Sequence, residues 1–318
     1  MLSSTLGLLV GVLLDRWWGE PQRFHPLVLF GVAASALEKI VYPTEGALPE
    51  RAPQRGESGI PLAGVGLSCC LLLVGLPVVI LLALLTLLPS LFSAVLSVVV
   101  LYICLGGKSL EQHAQAIAAP LEEGDLGGAQ TALSAIVSRD TRTMDDTEVV
   151  RATVESVLEN GNDAVFASLF WFAVAGPAGA LAHRLVNTLD AMWGYRTERY
   201  QAFGWAAARL DDVLGWLPAR GCALCYALAA RQWSALSTGF RQAASWDSPN
   251  AGPVMAVGAA SLDVVVGGPA RYGGEDRARP WLGSGAAVVV SDIGRACQLV
   301  LRASLLFIVA VALGEWLI

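Results

Sequence analysis

Charged residues are scarce in this 318-residue chain, at 15% of the total, whereas hydrophobic residues make up 55%. A soluble core of this length does not bury so much apolar surface, so part of the chain must face lipid. The scarcity is uneven, because residues 60–107 are almost free of charge while residues 108–163 and 183–217 carry many charges and amides. We therefore expect membrane segments to alternate with water-facing segments.

Cations are outnumbered, and lysine is almost absent. The chain has 21 lysines and arginines against 27 acidic residues, a net charge of −6, and its lysines are Lys39 and Lys108. This balance argues against a nucleic-acid partner, since phosphate-backbone binding needs a basic surplus. The planar fork of arginine suits phosphate or carboxylate binding, although high genomic GC content gives the same bias toward arginine.

Two familiar site signatures are missing. Cys222 and Cys225 form a C-x-x-C pair, but no second pair or nearby histidine completes a zinc set, so we interpret them as core residues. The sequence also lacks G-x-x-x-x-G-K-[ST], the phosphate loop of many nucleotide-binding proteins. Neither a zinc site nor a P-loop is therefore predicted.

Several apolar runs have about the length that a membrane helix needs. The clearest runs are 2–14, 60–88, 91–107 and 299–318. The first run lacks the basic start and cleavage site of a signal peptide and is predicted to be retained. The turn at Pro89 carries no charge, whereas Lys39 and Lys108 flank the hairpin, so the positive-inside rule places both flanks in the cytoplasm.

A further apolar segment, residues 164–182, is interrupted by Gly176 and Pro177. A membrane tolerates such a break only inside protein or beside water. We predict a buried or re-entrant helix pair here, because a complete crossing would separate the polar segments before and after it. Residues 218–230 are short and contain Arg220, so no confident span is predicted there.

Apolar residues at helical spacing predict amphipathic helices over residues 108–124 and 125–137, and a capped helix begins near Asp145. Residues 42–59 and 245–285 are rich in proline, glycine and charge and are predicted to be loops. The expected fold class is all-α: a polytopic integral membrane protein with amphipathic cytoplasmic helices and Gly/Pro-rich loops. It forms one domain, 1–318, whose polar catalytic segments are 108–163, 183–217 and 245–285.

The helix that begins near Asp145 carries a polar stripe. Arg151, Glu155 and Glu159 recur at every fourth position, and Asn160 and Asp163 follow. Ordinary ion pairs on a solvated helix face would explain the spacing alone. The functional alternative is a magnesium site, because hard cations prefer carboxylate oxygens and retained water.

The second polar segment interleaves arginines with aromatics and carboxylates. This mixture suits a phosphorylated ligand with a flat apolar part. Anchoring of aromatic side chains at the membrane interface is the alternative. The residues concerned are Asn187, Asp190, Tyr195, Arg196, Arg199, Trp205, Arg209, Asp211 and Asp212.

Glycine-rich turns at residues 248–252 and 267–274 could bring backbone N–H groups close to an anion, although such turns are often only turns. His25 lies between Glu20-Pro21 and Pro26, beside the first apolar run. A lone histidine there is either a hydrogen-bonded structural residue or a base.

A series of short motifs, in order, resembles the CbiB/CobD family and covers essentially the whole chain. The most specific is GYRTERYQAFGWAAARLDD, residues 194–212. The others are Leu14-Asp15, Gly19-Glu20-Pro21, His25-Pro26, Ser138-Arg139-Asp140-Thr141, Glu155-Ser156-Val157, Glu159-Asn160, Asp163, Val186-Asn187-Thr188-Leu189-Asp190, Ser248-Pro249-Asn250-Ala251-Gly252 and Gly267-Gly268-Pro269-Ala270-Arg271-Tyr272-Gly273-Gly274. Gly-Glu-Pro stands where the family is expected to have Gly-Asp-Pro, and the segment after Gly252 is shortened.

The resemblance implies adenosylcobinamide-phosphate synthase activity in cobalamin biosynthesis, with ATP and Mg²⁺ as cofactors. In this reaction (R)-1-aminopropan-2-yl phosphate amidates the free carboxylate of adenosylcobyric acid, which ATP activates as an acyl phosphate. The implied location is the bacterial cytoplasmic (inner) membrane, with a multi-pass chain and an active site that faces the cytoplasm. Other membrane-associated enzymes of cobalamin assembly and a second copy of the chain are further candidate partners.

The same resemblance implies roles for individual residues. The catalytic set is Glu155, Glu159, Asp163, Asp190, Arg196, Arg199, Arg209, Asp211 and Asp212, of which Glu155, Asp190 and Asp211 would hold the metal. The substrate-binding set is His25, Arg139, Asp140, Asn160, Asn187, Tyr195, Trp205, Ser248, Asn250, Gly267, Gly268 and Tyr272. Carboxylates approach a triphosphate only through a cation, whereas arginines bind its oxygens directly.

Two non-enzymatic functions are the alternatives: an AmpE-like membrane sensor and a small-molecule transporter. A transporter places its polar residues within the spans, near the membrane midplane. In this sequence they lie mostly outside the clearest spans. A sensor would not need the set of phosphate and metal ligands.

The apolar hairpin of residues 60–107 predicts that the protein can be extracted only with detergent or lipid, because the rest of the chain is too small to cover it. The measurement is fractionation of membranes washed with salt. Intact, monodisperse protein in a detergent-free wash would contradict this prediction.

Overall fold

A computed structural model of the protein describes residues 3–21, 24–42 and 59–317, and 76% of it is helical. The helices are α1 (Ser4–Trp18), α2 (Pro26–Val41), α3 (Gly59–Leu87), α4 (Ser90–Cys104), α5 (Gly107–Glu122), α6 (Leu126–Leu133), α7 (Asp146–Asn160), α8 (Ala167–Trp193), α9 (Tyr200–Phe203), α10 (Trp205–Ala230), α11 (Trp233–Ala243), α12 (Ala251–Ser261) and α13 (Ser291–Leu317). This composition confirms the predicted polytopic helical membrane fold.

Five helical stretches in the described part of the chain are long and apolar enough to cross a membrane. They are Leu62–Leu87, Ser90–Glu122, Asp146–Trp193, Trp205–Ala230 and Ser291–Leu317. Only 11% of the apolar window in the first stretch is buried, so the side chains of α3 provide a broad surface for lipid. The predicted runs 60–88, 91–107 and 299–318 correspond to α3, α4 and α13. The run 2–14 corresponds to α1, which has 15 residues and is not among the five candidate spans.

Helix α10 extends well beyond the short segment 218–230 and qualifies as a candidate span, contrary to the sequence prediction. The reason lies in the environment of Arg220. Its Nη1 donates to the carbonyl oxygens of Trp216 at 3.1 Å and Pro249 at 2.9 Å, and the guanidinium lies 4.4 Å from the Trp216 ring centroid. Because the protein itself satisfies this charge, Arg220 does not prevent α10 from lying in an apolar environment.

The break predicted in the segment 164–182 is present inside α8. Ala175 and Gly176 leave the helical region, and Gly176 has φ +64°, which glycine adopts without strain. Beyond the break, Gly179 lies so close to the Trp171 carbonyl that an added Cβ would be 2.7 Å from its oxygen. The chain therefore folds back on itself, and Asn160 and Thr188 line one cleft at the ends of the two arms.

The predicted start of α7 is also confirmed. The Glu148 N–H donates to Asp145 Oδ1 at 2.8 Å, and the Asp145 N–H donates to Glu148 Oε2 at 3.0 Å, which together form a capping box. The helix continues into a π-helical turn, Gly161–Phe166, that leads into α8. The amphipathic helices predicted over 108–124 and 125–137 correspond to α5 and the shorter α6.

The prediction that residues 245–285 form a loop is wrong over much of its length. Helix α12 lies in this segment and is completely buried, with Gly258 packed against Leu158 of α7. Its glycines suggested a loop, but they allow close helix packing instead. Five short strands follow: β1 (Val264–Gly267), β2 (Ala270–Tyr272), β3 (Glu275–Arg277), β4 (Trp281–Gly283) and β5 (Ala286–Ala287).

The strands form two small sheets. β1 pairs antiparallel with β4, with Val266 opposite Leu282, and parallel with β5, while β2 and β3 form an antiparallel hairpin. Of the other predicted loop, residues 43–58 lie outside the described residues.

Polar contacts join the ends of neighbouring helices. Asp15, near the end of α1, accepts from the Lys108 N–H at 3.1 Å at the start of α5. At the opposite end of α1, the Thr5 N–H donates to Glu315 of α13 at 3.2 Å. The candidate functional residues lie toward the Asp15 and Lys108 end.

A glycine contact in α3 gives a prediction about packing. A Cβ at Gly66 would lie 1.9 Å from the Phe203 carbonyl oxygen, whereas one at Gly75 would meet nothing within 4 Å. We expect Gly66→Ala to lower the free energy of unfolding by about 1–3 kcal/mol, because the backbone around Phe203 must shift. Gly75→Ala changes the same helix by the same methyl group and is the control. Equal thermal unfolding of the two variants in detergent would contradict the packing described here.

Candidate functional site: two clefts that meet at Asn160

Two clefts lie at the polar end of the helices, and Asn160 lines both of them. The first, the large cleft, has a volume of about 1130 Å³ and lies between the end of α1, the start of α2, α5 and the second arm of α8. The second, the arginine cleft, has a volume of about 440 Å³ and lies between α7, the residues before α12 and the end of the β2–β3 hairpin. The C-terminal end of α7 therefore forms a wall common to both.

Glu155 is the centre of the arginine cleft. Its Oε2 accepts from Arg139 Nη2 at 2.8 Å and from Arg279 Nη2 in a short contact, and its Oε1 accepts from the Gly267 N–H at 3.0 Å. The Glu155 side chain is 2% exposed and the two arginine side chains 13% each. A buried carboxylate needs such a set of donors, because desolvation of an unpaired charge is costly.

Arg279 has further partners. Its Nη1 donates to Tyr272 Oη at 3.1 Å, and its guanidinium lies 4.6 Å from the Trp246 ring centroid. Burial alone would lower the pKa of Arg279, but the Glu155 carboxylate more than offsets this, so the pKa is raised and the guanidinium stays charged. Its Nε is buried without a partner among the described residues.

Backbone contacts connect the arginine cleft to the glycine-rich turns. Gly267 has φ +79°, and a Cβ there would lie 2.4 Å from the Pro280 carbonyl oxygen, so only glycine fits while its N–H reaches Glu155. Asp140 accepts from the Gly274 N–H at 2.7 Å, and its own N–H donates to the Arg271 carbonyl. Hydrogen bonds thus join residues 139–140, α7 and the turns 267–274 into one unit, although these segments are separated in the sequence.

The large cleft combines aromatic and polar walls. Trp18 and Phe24 are 75% and 83% exposed beside it, and Gln112, His113, Arg184 and Thr188 also line it. Such a lining suits a large ligand with both flat apolar surfaces and amide groups.

His25 is a buried member of the large cleft. Its Nδ1 accepts from the Leu27 N–H at 3.2 Å and caps α2, and its Nε2 has no partner among the described residues. Burial lowers the pKa of His25, so the ring is neutral at pH 7. In this neutral form, with Nδ1 as acceptor, the proton lies on Nε2 and makes it a donor.

Carboxylates and amides extend from the large cleft toward α10. Asn187 accepts from Arg184 Nη1 at 3.2 Å and donates to Asp211 Oδ1 at 3.2 Å. Asn162 donates to Asp163 Oδ1 at 2.8 Å, while the other amide atom of Asn162, Oδ1, is buried without a partner in the described part of the chain. Within residues 3–21, 24–42 and 59–317, no three His, Cys, Asp or Glu side chains form a group that could hold a metal ion by themselves.

Comparison with known proteins gives one family. A family model described as "CobD/Cbib protein" matches residues 8–300. The chain belongs to the CobD/Cbib family. No solved structure matches it significantly.

Relatives named "Cobalamin biosynthesis protein CobD" align with nearly the whole chain. The relative from Chromobacterium violaceum is 49% identical over 95% of this chain and 93% of its own length. The relative from Stutzerimonas stutzeri is 46% identical over 99% of both chains, and the one from Mycobacterium tuberculosis is 38% identical over 93% of this chain and 91% of its own. Family membership therefore extends over the whole described fold.

Some residues of the most specific CobD/Cbib motif lie outside both clefts. Arg199 donates to Glu38 at 2.7 Å and to the Tyr42 carbonyl at 3.0 Å, and the hydrogen bond to Glu38 raises the pKa of Arg199. These contacts attach α2 to the turn before α9. Four other predicted site residues of the motif are exposed, and none of them lines either cleft: Tyr195, Arg196, Trp205 and Arg209.

The motif around Asn250 braces α10 in this CobD/Cbib fold. Ser248 Oγ accepts from the Asn250 and Ala251 N–H groups at the start of α12, and Asn250 Nδ2 donates to the Asp212 carbonyl at 3.0 Å. An added Cβ at Gly215 would lie 2.5 Å from Asn250 Nδ2, so the two elements touch. Both polar side chains thus help to fix where Asp211 and Asp212 lie.

Sequence reasoning missed several residues that line the clefts, among them Glu20, Arg184, Trp246 and Arg279. Glu20 belonged to a motif but had been given no role. Nothing in the local sequence distinguishes Arg279 from Arg271 and Arg277 nearby, because its importance arises from its contact with Glu155, which is far away in the chain.

The geometry predicts that Glu155→Gln lowers the free energy of unfolding by about 3–5 kcal/mol, because two buried arginines lose their counter-charge. The control is Asp276→Asn, which removes a partner of Arg271 at 3.9 Å where the side chains are 47% and 85% exposed. An exposed pair of this kind contributes about 0–1 kcal/mol. Thermal unfolding in detergent is the measurement, and equal shifts for both variants would refute the central position of Glu155.

Proposed function

We propose that this protein is an adenosylcobinamide-phosphate synthase of cobalamin biosynthesis. It would form the amide bond between adenosylcobyric acid and (R)-1-aminopropan-2-yl phosphate with the use of ATP. The observation that carries this proposal is the meeting of two unequal clefts at Asn160, one large and partly aromatic, the other small and lined by arginines. An enzyme that joins a large substrate to a small phosphorylated one needs such an arrangement.

The position of the polar residues supports an enzyme over a transporter. Asp163 and Arg184 flank the apolar arms of α8, and the break at Gly176 lies at the far end of those arms. The polar side chains therefore lie at the ends of the spans. A transporter would need them near the middle of the spans, where its solute binds. We propose that this end faces the cytoplasm, because ATP and the corrinoid are available there.

Magnesium would reach this site with the nucleotide. Mg²⁺ is typically held by one or two carboxylates together with substrate phosphates and water, so the lack of a three-residue metal group in the described chain is compatible with it. Asp190 and Asp211 are the carboxylates that we propose for this contact. We leave Glu155 out of this set, because its oxygens already accept from Arg139, Arg279 and Gly267.

The remaining chemistry belongs to the protein's own side chains. A carboxylate is a poor acyl donor, and transfer of the γ-phosphoryl group of ATP to one of its oxygens, with ADP as the leaving group, would give an acyl phosphate. The ammonium must first lose a proton to a base, and the amine nitrogen would then form the bond to the acyl carbon as phosphate departs. Glu159 lines the arginine cleft beside Asn160 and is the base that we propose.

We expect purified protein in detergent to convert adenosylcobyric acid to adenosylcobinamide phosphate in the presence of ATP, Mg²⁺ and aminopropanol phosphate. In Asp211→Asn, turnover at limiting Mg²⁺ should fall about tenfold or more and recover partly at higher Mg²⁺, because one anionic oxygen is lost. Product formation is followed by chromatography across a Mg²⁺ series.

The matched control is Glu123→Gln, an exposed carboxylate at the end of α5, which should leave the Mg²⁺ curve unchanged. An unaltered Mg²⁺ curve for folded Asp211→Asn would remove this residue from the nucleotide site. Lack of conversion by the folded wild-type protein would contradict the proposed activity itself.

A further inference from the structure

The arginine cleft carries charges of both signs, and this feature distinguishes it from a simple anion site. Arg139 and Arg279 share the single carboxylate of Glu155, which leaves a surplus of one positive charge on that side. Glu159 and Asp247 also line the cleft and contribute two carboxylates. A polyanion would be attracted by the first group and repelled by the second.

We propose that the arginine cleft is the binding site of a small zwitterion, with its phosphate at Arg139 and Arg279 and its ammonium at Glu159. This assignment rests on the proposed function for the identity of the zwitterion, (R)-1-aminopropan-2-yl phosphate. The large cleft is then left for the corrinoid, which is several times larger than the amine.

The phosphate end has suitable donors. A phosphate monoester carries nearly two negative charges at pH 7, and arginine forks bind its oxygens with charge-assisted hydrogen bonds. Glu155 and the Gly267 N–H fix the arginine network before any ligand binds, and Trp246 packs on one face of Arg279. In the described chain Arg139 donates only through Nη2, to Glu155, so its other guanidinium N–H groups remain for a ligand.

The ammonium end is defined by the helix geometry of α7. Glu155 and Glu159 are one turn apart on the same face of the helix, so Glu159 lies next to the arginine pair, and its neighbour Asn160 lines both clefts. An amine held there would point toward the corrinoid carboxylate across Asn160. One residue would thus recognise the ammonium and later accept its proton.

A nucleotide is the other source of a terminal phosphate, and the cleft suits it less well. ATP carries several negative charges and no cation of its own, so Glu159 and Asp247 would oppose its binding unless a metal ion intervened.

The test is calorimetric titration of the full-length protein in detergent with aminopropan-2-yl phosphate, with isopropyl phosphate, which lacks the amine, and with Mg-ATP. Arg279→Lys should weaken both small phosphates by about tenfold, because lysine cannot reproduce the fork. Glu159→Gln should bring the affinity for the amine phosphate close to that for isopropyl phosphate and leave the latter unchanged. Mg-ATP affinity should stay the same in both variants.

Two variants are the matched controls. Arg142→Lys changes an exposed arginine close in sequence to Arg139, and Glu123→Gln changes an exposed carboxylate. If Arg279→Lys does not fold, Tyr272→Phe makes the same comparison with a milder change. Loss of ATP binding with retained amine-phosphate binding would overturn the assignment, as would affinities within about twofold of wild type in all folded variants.

The binding pattern and the proposed function can fail separately. If the pattern holds but the wild-type protein makes no cobinamide phosphate, the zwitterion site stands and the reaction proposed above is wrong. If the protein makes the product but the two variants bind the amine phosphate normally, the reaction stands and the site lies elsewhere.

Discussion

The convergence of Arg139, Arg279 and the Gly267 N–H on the buried Glu155 is the interaction on which the candidate site depends. It joins residues that are far apart in the chain, since Glu155 and Arg279 are separated by 124 positions. Without it, two arginines and a carboxylate would be buried without a counter-charge, which is strongly unfavourable. The same contact fixes the glycine-rich turns against α7 and keeps Arg139 and Arg279 in the lining of the arginine cleft.

The membrane helices bring the polar residues of the site to one end of the bundle. The break in α8 returns the chain to the side from which it entered, so that Asn160 and Thr188 line one cleft. A straight helix would have carried Asn187, Asp190 and Asp211 to the other end of the bundle. The break at Ala175 and Gly176 therefore decides whether the carboxylates of α8 and α10 can act together with α7.

Much of the frame could be predicted from the sequence, because long apolar runs and capping residues are local signals. The start of α7 at Asp145 and the break at Gly176 are examples. Helix α10 was underestimated because Arg220 is satisfied by Pro249, a tertiary contact invisible in the sequence. Helix α12 was taken for a loop because glycine and proline also occur in closely packed buried helices.

The types of residue in the site could be predicted from the sequence, but which side chains bind each other could not. Motifs identified Arg139, Glu155 and Asn160, whereas Arg279 has no local signal and Arg199 turned out to bind Glu38. The distinction between an arginine that faces a ligand and one that joins two helices depends on long-range contacts, and spacing along the chain does not contain that information.

The most direct test of the two-cleft account is an experimental structure of the protein with aminopropanol phosphate and adenosylcobyric acid bound in the absence of ATP. We expect the phosphate beside Arg139 and Arg279, the corrin ring in the large cleft, and the amine and the carboxylate facing each other near Asn160. Both ligands in one cleft, or the phosphate beside Arg196 and Arg209 on the exposed surface, would contradict it.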